Sequence, residues 1–112
     1  MKSGNYIPDR GDVVWLDFDP QKGTEIKKVR PALTLSPKNY NGKTGLGLFV
    51  PITSSIKGYP FEVGVSDKNI KGAVLADQVK SFDWRIRKAK KITSLEKKVV
   101  GEILRKVSLL IQ

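Results

Sequence analysis

Apolar and polar positions follow two different periods along this chain, and the change from one to the other divides it into a strand-forming part and a helix. Asp12-Val13-Val14-Trp15-Leu16-Asp17-Phe18 is a first strand-like run, entered through the turn signal Pro8-Asp9-Arg10-Gly11-Asp12. Pro31 to Ser36 reads as a second strand, stopped by Pro37. Asn39 to Gly45 reads as a turn, with Asn41-Gly42 as its strongest signal. Leu46 to Ile52 alternates enough Leu, Phe, Val and Ile for a third strand, and Phe61 to Val65 for a fourth. Gly72 to Ala76 and Val79 to Phe82 are shorter strands, followed by a basic strand candidate from Trp84 to Ile92. At Thr93 the period changes. Thr93-Ser94-Leu95-Glu96 has the capping-box form, in which Thr and Glu each satisfy an orphan N–H of a helix start. Leu95, Val99, Ile103 and Val107 then recur at four-residue steps, joined by Val100, Leu104, Leu110 and Ile111. Such a stripe predicts an amphipathic helix with its apolar face buried. The pattern therefore predicts a mainly β domain, a small antiparallel barrel or strongly twisted sheet with one C-terminal helix. It spans residues 1–112 as a single domain, with no linker or repeat.

The connection Gly23-Thr24-Glu25-Ile26-Lys27-Lys28-Val29-Arg30-Pro31 interrupts this pattern. It is longer than most links between strands, and long loops held by a rigid scaffold often carry function. It holds one carboxylate, Glu25, and three cations, Lys27, Lys28 and Arg30. Pro31 biases Arg30 toward extended backbone, which helps aim a guanidinium at an anion.

Charge gives that anion a class. Among 112 residues, 21 Lys+Arg stand against 11 Asp+Glu, a formal charge of +10. An excess of this size predicts attraction to polyanions, chiefly nucleic acid, against the plainer reading of a basic solvated surface. Cys is absent, which excludes disulfides and thiolate metal sites. His is absent as well, so catalysis must proceed without the commonest general acid–base group and metal ligand. Met1 to Tyr6 lacks the apolar core of a signal peptide, and no apolar run approaches the roughly 20 residues that span a bilayer. The expectation is a cytoplasmic protein.

Taken one at a time, the candidate residues read plainly. Arg30 is a surface arginine, Thr53 a turn residue, Glu25 a solvated loop acid and Trp15 a core or interface residue. Lys88, Lys90, Lys91, Lys97 and Lys98 form a solvated face. Their order changes the reading. Gly11-Asp12-Val13-Val14-Trp15, Asp17-Phe18-Asp19-Pro20, Lys22-Gly23-Thr24-Glu25, Arg30-Pro31, Leu35-Ser36-Pro37, Val50-Pro51-Ile52-Thr53, Lys57-Gly58-Tyr59-Pro60-Phe61 and Leu75-Ala76-Asp77-Gln78-Val79-Lys80-Ser81 together resemble the MazF/PemK family of toxins. The resemblance runs from Gly11 through the C-terminal helix. It implies an SH3-like barrel, a homodimer, and metal-free, cofactor-free cleavage of single-stranded RNA at short motifs. It also implies an acidic MazE/PemI-like antitoxin that covers the RNA site.

Within that resemblance Arg30 and Thr53 match the residues that carry catalysis, Glu25 matches a carboxylate of the active-site loop, and Asp77-Gln78 matches a position near the RNA. Val29 stands where the best-known member has His, so no imidazole carries a proton here. The 2′-hydroxyl of RNA can itself attack the adjacent phosphorus. The protein must then accept the 2′-proton, for which Glu25 is the candidate. It must also stabilise the charged oxygens, for which Arg30 and Thr53 are the candidates. Tyr59 and Trp84 are candidates for stacking on unpaired bases, and Lys28, Lys57, Lys80, Arg85 and Arg87 for following the backbone. Two other classes compete: a CcdB-like poison of DNA gyrase, and a basic RNA-binding module without chemistry.

Overall fold

The computed structural model describes residues 6–18 and 29–112. Seven strands form one curled antiparallel sheet: β1 (Asp12–Asp17), β2 (Val29–Thr34), β3 (Leu46–Thr53), β4 (Glu62–Ser66), β5 (Lys71–Leu75), β6 (Lys80–Asp83) and β7 (Lys90–Ser94). Two helices accompany them, α1 (Lys38–Thr44) after β2 and α2 (Lys97–Leu109) at the end. The strand order is β4-β5-β3-β2-β1-β7, with β6 also paired to β3. The mainly β half-barrel with a C-terminal helix is the architecture the pattern predicts.

Side chains alternate across each strand, so the sheet has two buried faces. Val13, Leu33, Leu35, Val50, Ile52, Val63, Val65, Val74 and Ala76 gather on one, closed by Ile103 of α2. Val14, Leu16, Ala32 and Phe49 lie on the other, covered by Trp84, with Tyr6, Ile7, Phe18 and Phe82 packed around them. Burial of a side chain of this kind contributes about 1.5–3 kcal/mol. The two faces together fix the register, because a one-residue slip would exchange them.

Four local readings differ from the structure. The segment expected as a turn is α1, because Asn41 is fully buried rather than exposed at a hairpin tip. Its amide donates to the Pro8 and Ser36 carbonyls at 2.8 and 3.0 Å, and Ser36 Oγ donates to Asn41 Oδ1 at 2.6 Å. Gly45 then ends the helix in the left-handed conformation (φ 75°), with its N–H on the Asn41 carbonyl. The capping box does not form. Thr93 is still paired with Val13 in β7, and its hydroxyl donates to Asp67 Oδ2 at 3.1 Å, so α2 starts only at Lys97. Trp84 to Lys88 is a turn rather than the start of a strand, with Lys88 at φ 56°. At the other end, Leu110 and Ile111 lie beyond the helix and are exposed, not part of its buried stripe.

Candidate active site

The strand β3 has a different neighbour at each end of one edge. Its first half pairs with β6, from Leu46↔Asp83 to Phe49↔Lys80, and its last residues pair with β5, as Ile52↔Val74 and Thr53↔Ala73. Pro51, which has no N–H to contribute to a ladder, stands at the change of partner. On the other edge β3 meets β2 through Thr34↔Phe49, Leu33↔Val50 and Ala32↔Pro51. The β2–β3 pairing ends at Ala32↔Pro51, and Arg30 on β2 and Thr53 on β3 each lie two residues beyond it. Arg30 is opposite Leu16 of β1, so it extends the sheet face that carries Leu16, Ala32 and Phe49. Arg30 is exposed, and it takes no part in the ion pair formed among the described residues, Lys91 Nζ to Asp12 Oδ1 at 3.6 Å.

Thr53 is held tightly. Gly72 of β5 approaches so closely that a Cβ there would stand 2.4 Å from the Thr53 carbonyl oxygen. Thr53 Oγ1 accepts the Ser55 N–H at 3.0 Å, which leaves the hydroxyl hydrogen available to a second group. The chain beyond it is organised by Glu62, a residue that the sequence reading passed over. Its carboxylate accepts the N–H of Lys57 (3.0 Å to Oε2) and of Gly58 (2.7 Å to Oε1), and Gly58 takes the φ of 78° that this turn requires. Tyr59 then donates its hydroxyl to Asp77 Oδ1 at 2.7 Å. That hydrogen bond, with partial desolvation, pushes the Tyr59 phenol up to about 12. Lys57 and Tyr59 lie on the β3–β4 connection, Asp77 and Gln78 lie between β5 and β6, and Lys80 opens β6 opposite Phe49 of β3.

Three expected RNA contacts fall elsewhere. Trp84 is only 6 % exposed, packs under the second core face and donates its indole N–H to the Asn41 carbonyl at 3.0 Å, so it is no platform for a base. Arg85 sits by the first residues of β3, about 20 Å along the strand from Thr53; it donates to the Gly42 carbonyl at 3.2 Å and lies over the Trp84 ring. Arg87 is half-buried, stacked 4.1 Å from the Phe82 ring centroid and donating to the Asp17 carbonyl at 3.1 Å. Cations beside an aromatic read alike in sequence whether they serve RNA or packing. Glu25 and Lys28 lie outside the described residues.

Among the described residues no three acidic groups converge as a metal site would require, and no helix is long and apolar enough to cross a membrane. Hollows along α2 and the Asp9–Asp12 segment are lined by neither Arg30 nor Thr53.

Residues 9–111 match the family described as PemK-like, MazF-like toxin of type II toxin–antitoxin system. The endoribonuclease toxin MazF of Escherichia coli K12 is 50 % identical over 106 residues, covering 95 % of this chain and 96 % of that protein. The endoribonuclease toxin ChpB of the same organism is 33 % identical over 93 % of this chain and 94 % of its own. A crystal structure of MazF from Deinococcus radiodurans superimposes with a TM-score of 0.85 at 46 % identity, covering 96 % of this chain and 98 % of that one. A MazE–MazF crystal structure from the same organism gives 0.84 at 44 % identity, over 96 % and 97 %. With the landmark residues in order, the same half-barrel and a match over nearly its whole length, the chain belongs to the PemK-like, MazF-like toxin family of type II toxin–antitoxin systems.

Proposed function

We propose that this protein is an endoribonuclease toxin that cuts single-stranded RNA by metal-independent transesterification at the 2′-hydroxyl. The observation that supports the proposal is that Arg30 on β2 and Thr53 on β3 each lie two residues beyond the Ala32↔Pro51 pair that joins these strands. In this reading the 2′-oxygen attacks the adjacent phosphorus and the 5′-oxygen of the next nucleotide departs, leaving a cyclic phosphate and a 5′-hydroxyl. Arg30 lays two N–H groups on the non-bridging oxygens as negative charge builds there. Thr53 donates its remaining hydroxyl hydrogen to the same group. Glu25 accepts the 2′-proton, and solvent water gives a proton to the departing 5′-oxygen. One well-placed donor of this kind contributes about 2.7–4 kcal/mol to a transition state, so charge stabilisation is the larger share of the catalysis. Lys57, Tyr59, Asp77, Gln78 and Lys80 hold the strand and read its bases, with Lys28 assisting from the loop.

The relatives named as endoribonucleases favour this reading over a gyrase poison or a passive RNA-binding module. We further propose a cytoplasmic homodimer held in check by an acidic antitoxin; the solved MazE–MazF complex favours a partner of that kind. Exposed Leu109, Leu110 and Ile111 offer apolar surface for such an assembly. The test is cleavage of an oligoribonucleotide by purified protein in EDTA. Wild-type protein is expected to cut, and Arg30→Ala and Thr53→Ala to lose about 10²–10³ in kcat. Near-normal cutting by both variants, or loss of wild-type cutting on chelation, overturns the proposed chemistry.

A further inference from the structure

Among the described residues, the stretch of β2 that carries Arg30 has a strand neighbour on one side only. Pairing of β2 with β3 ends at Ala32↔Pro51, whereas pairing with β1 continues through Leu16↔Arg30 and Asp17↔Val29. The place of Arg30 therefore follows the end of β1. That end leaves β7 in its turn, because the last β1–β7 pair is Trp15↔Lys90, and its outer edge then meets Arg87. Asp17 donates its N–H to the Arg87 carbonyl at 2.9 Å, and Arg87 Nη1 donates back to the Asp17 carbonyl at 3.1 Å. Successive strand residues send their N–H and C=O groups to opposite edges, so with Asp17 turned to Arg87, Leu16 is turned to Arg30. Arg87 is well fixed for such a task. Its guanidinium lies 4.1 Å from the Phe82 ring centroid, and Phe82 meets Phe18, the residue after β1, edge-on at 5.2 Å. The turn that presents it is closed by Arg87 N–H on the Asp83 carbonyl at 3.2 Å and Ala89 N–H on the Trp84 carbonyl at 3.0 Å. We propose that Arg87 is a positioning residue for Arg30: it clamps the end of β1 and, through the Leu16↔Arg30 pair, fixes the strand from which the Arg30 guanidinium reaches the phosphate. It touches neither the RNA nor the reacting atoms.

The inference rests on the endoribonuclease reading for what Arg30 does, but not for what holds its strand. The experiment joins steady-state cleavage of an oligoribonucleotide to amide hydrogen exchange at Asp17 and Arg30. It compares wild type, Arg87→Met, Arg87→Lys, Arg30→Ala and the double variant of Arg30→Ala with Arg87→Met. Arg87→Met keeps an apolar chain over Phe82 and loses the donors. Exchange at both amides is expected to quicken and kcat to fall about ten- to hundredfold, with KM nearly kept. Arg87→Lys, which still offers a donor to the Asp17 carbonyl, recovers part of both readouts. On the Arg30→Ala background Arg87→Met costs nothing further, because its effect passes through Arg30. Ile103→Val, which loosens the other core face under α2, lowers Tm and keeps kcat. Unchanged kcat or unchanged exchange in Arg87→Met overturns the proposal, as does an equal loss of kcat in Ile103→Val. Losses that multiply in the double variant, or a raised KM at constant kcat, overturn it in favour of a direct RNA contact. Intact RNA with wild-type protein overturns the function reading instead, and exchange at Arg30 still decides whether Arg87 holds the strand.

Discussion

At the scale of single residues, context decides among chemically equal side chains. Trp84 and Tyr59 are both aromatic and both neighbour cations, but only Tyr59 lies on the connection that follows Thr53. Trp84→Ala is expected to cost about 3–5 kcal/mol, as removal of a large buried ring does. The milder Trp84→Phe should lower Tm in thermal unfolding while leaving KM for RNA unchanged; a raised KM at unchanged Tm would return Trp84 to the RNA site. Asp67 shows how a surface carboxylate acquires a structural duty. Backbone N–H groups of Asn69 and Ile70 and the Thr93 hydroxyl all donate to it, and the Asn69 bond leads in holding its carboxyl below the ordinary value of 3.8. A depressed acid contributes stability that is complete above its unfolded pKa and is lost as pH falls through its folded one. Tm of the wild type should therefore fall more steeply than that of Asp67→Asn as pH drops from about 5 to about 2. Parallel curves would show that Asp67 contributes nothing to the acid limb.

At the scale of elements, β3 shows why close backbone approach matters. β5 lies close against Thr53 of β3, and it can come that near because Gly72 has no side chain. Gly72→Ala should force the strands apart, cost about 1–3 kcal/mol and reduce cutting together with stability. Gly64 on the neighbouring strand provides the control, because a Cβ there meets nothing within 4 Å. Gly64→Ala should keep wild-type cutting, and equal losses in both variants would show that the Gly72 contact is not special. The helices carry a related lesson. Thr93 has the right neighbours to cap α2, yet pairing with Val13 in the sheet outweighs a local cap worth about 1 kcal/mol.

At the scale of the whole molecule, the formal charge of +10 acts on association rather than on shape. A single strand that releases counterions at about four phosphates should lose roughly fiftyfold in affinity between about 50 and 200 mM salt. Fluorescence anisotropy with a non-cleavable oligonucleotide would measure that slope, and a flat response would mean that base contacts alone hold the RNA. Neutralising Lys57 or Lys80 should flatten the slope, whereas replacing Arg85 or Arg87, whose guanidiniums are occupied by backbone carbonyls, should change it little.

The strand runs, the period change at the C-terminal helix and the polarity of the surface were decided locally, because alternation of side chains follows from backbone geometry wherever one face is buried. The order of landmark residues likewise singled out Arg30 and Thr53 as candidates through the family resemblance. Tertiary structure alone decided that Asn41 is buried, that Thr93 stays in the sheet, and that Trp84 serves the core. Each of those outcomes depends on a neighbour distant in sequence: Pro8 for Asn41, Val13 for Thr93, Asn41 for Trp84. The bond between Tyr59 and Asp77 is of the same kind, since no periodicity relates two loops that only the curl of the sheet brings within hydrogen-bonding distance.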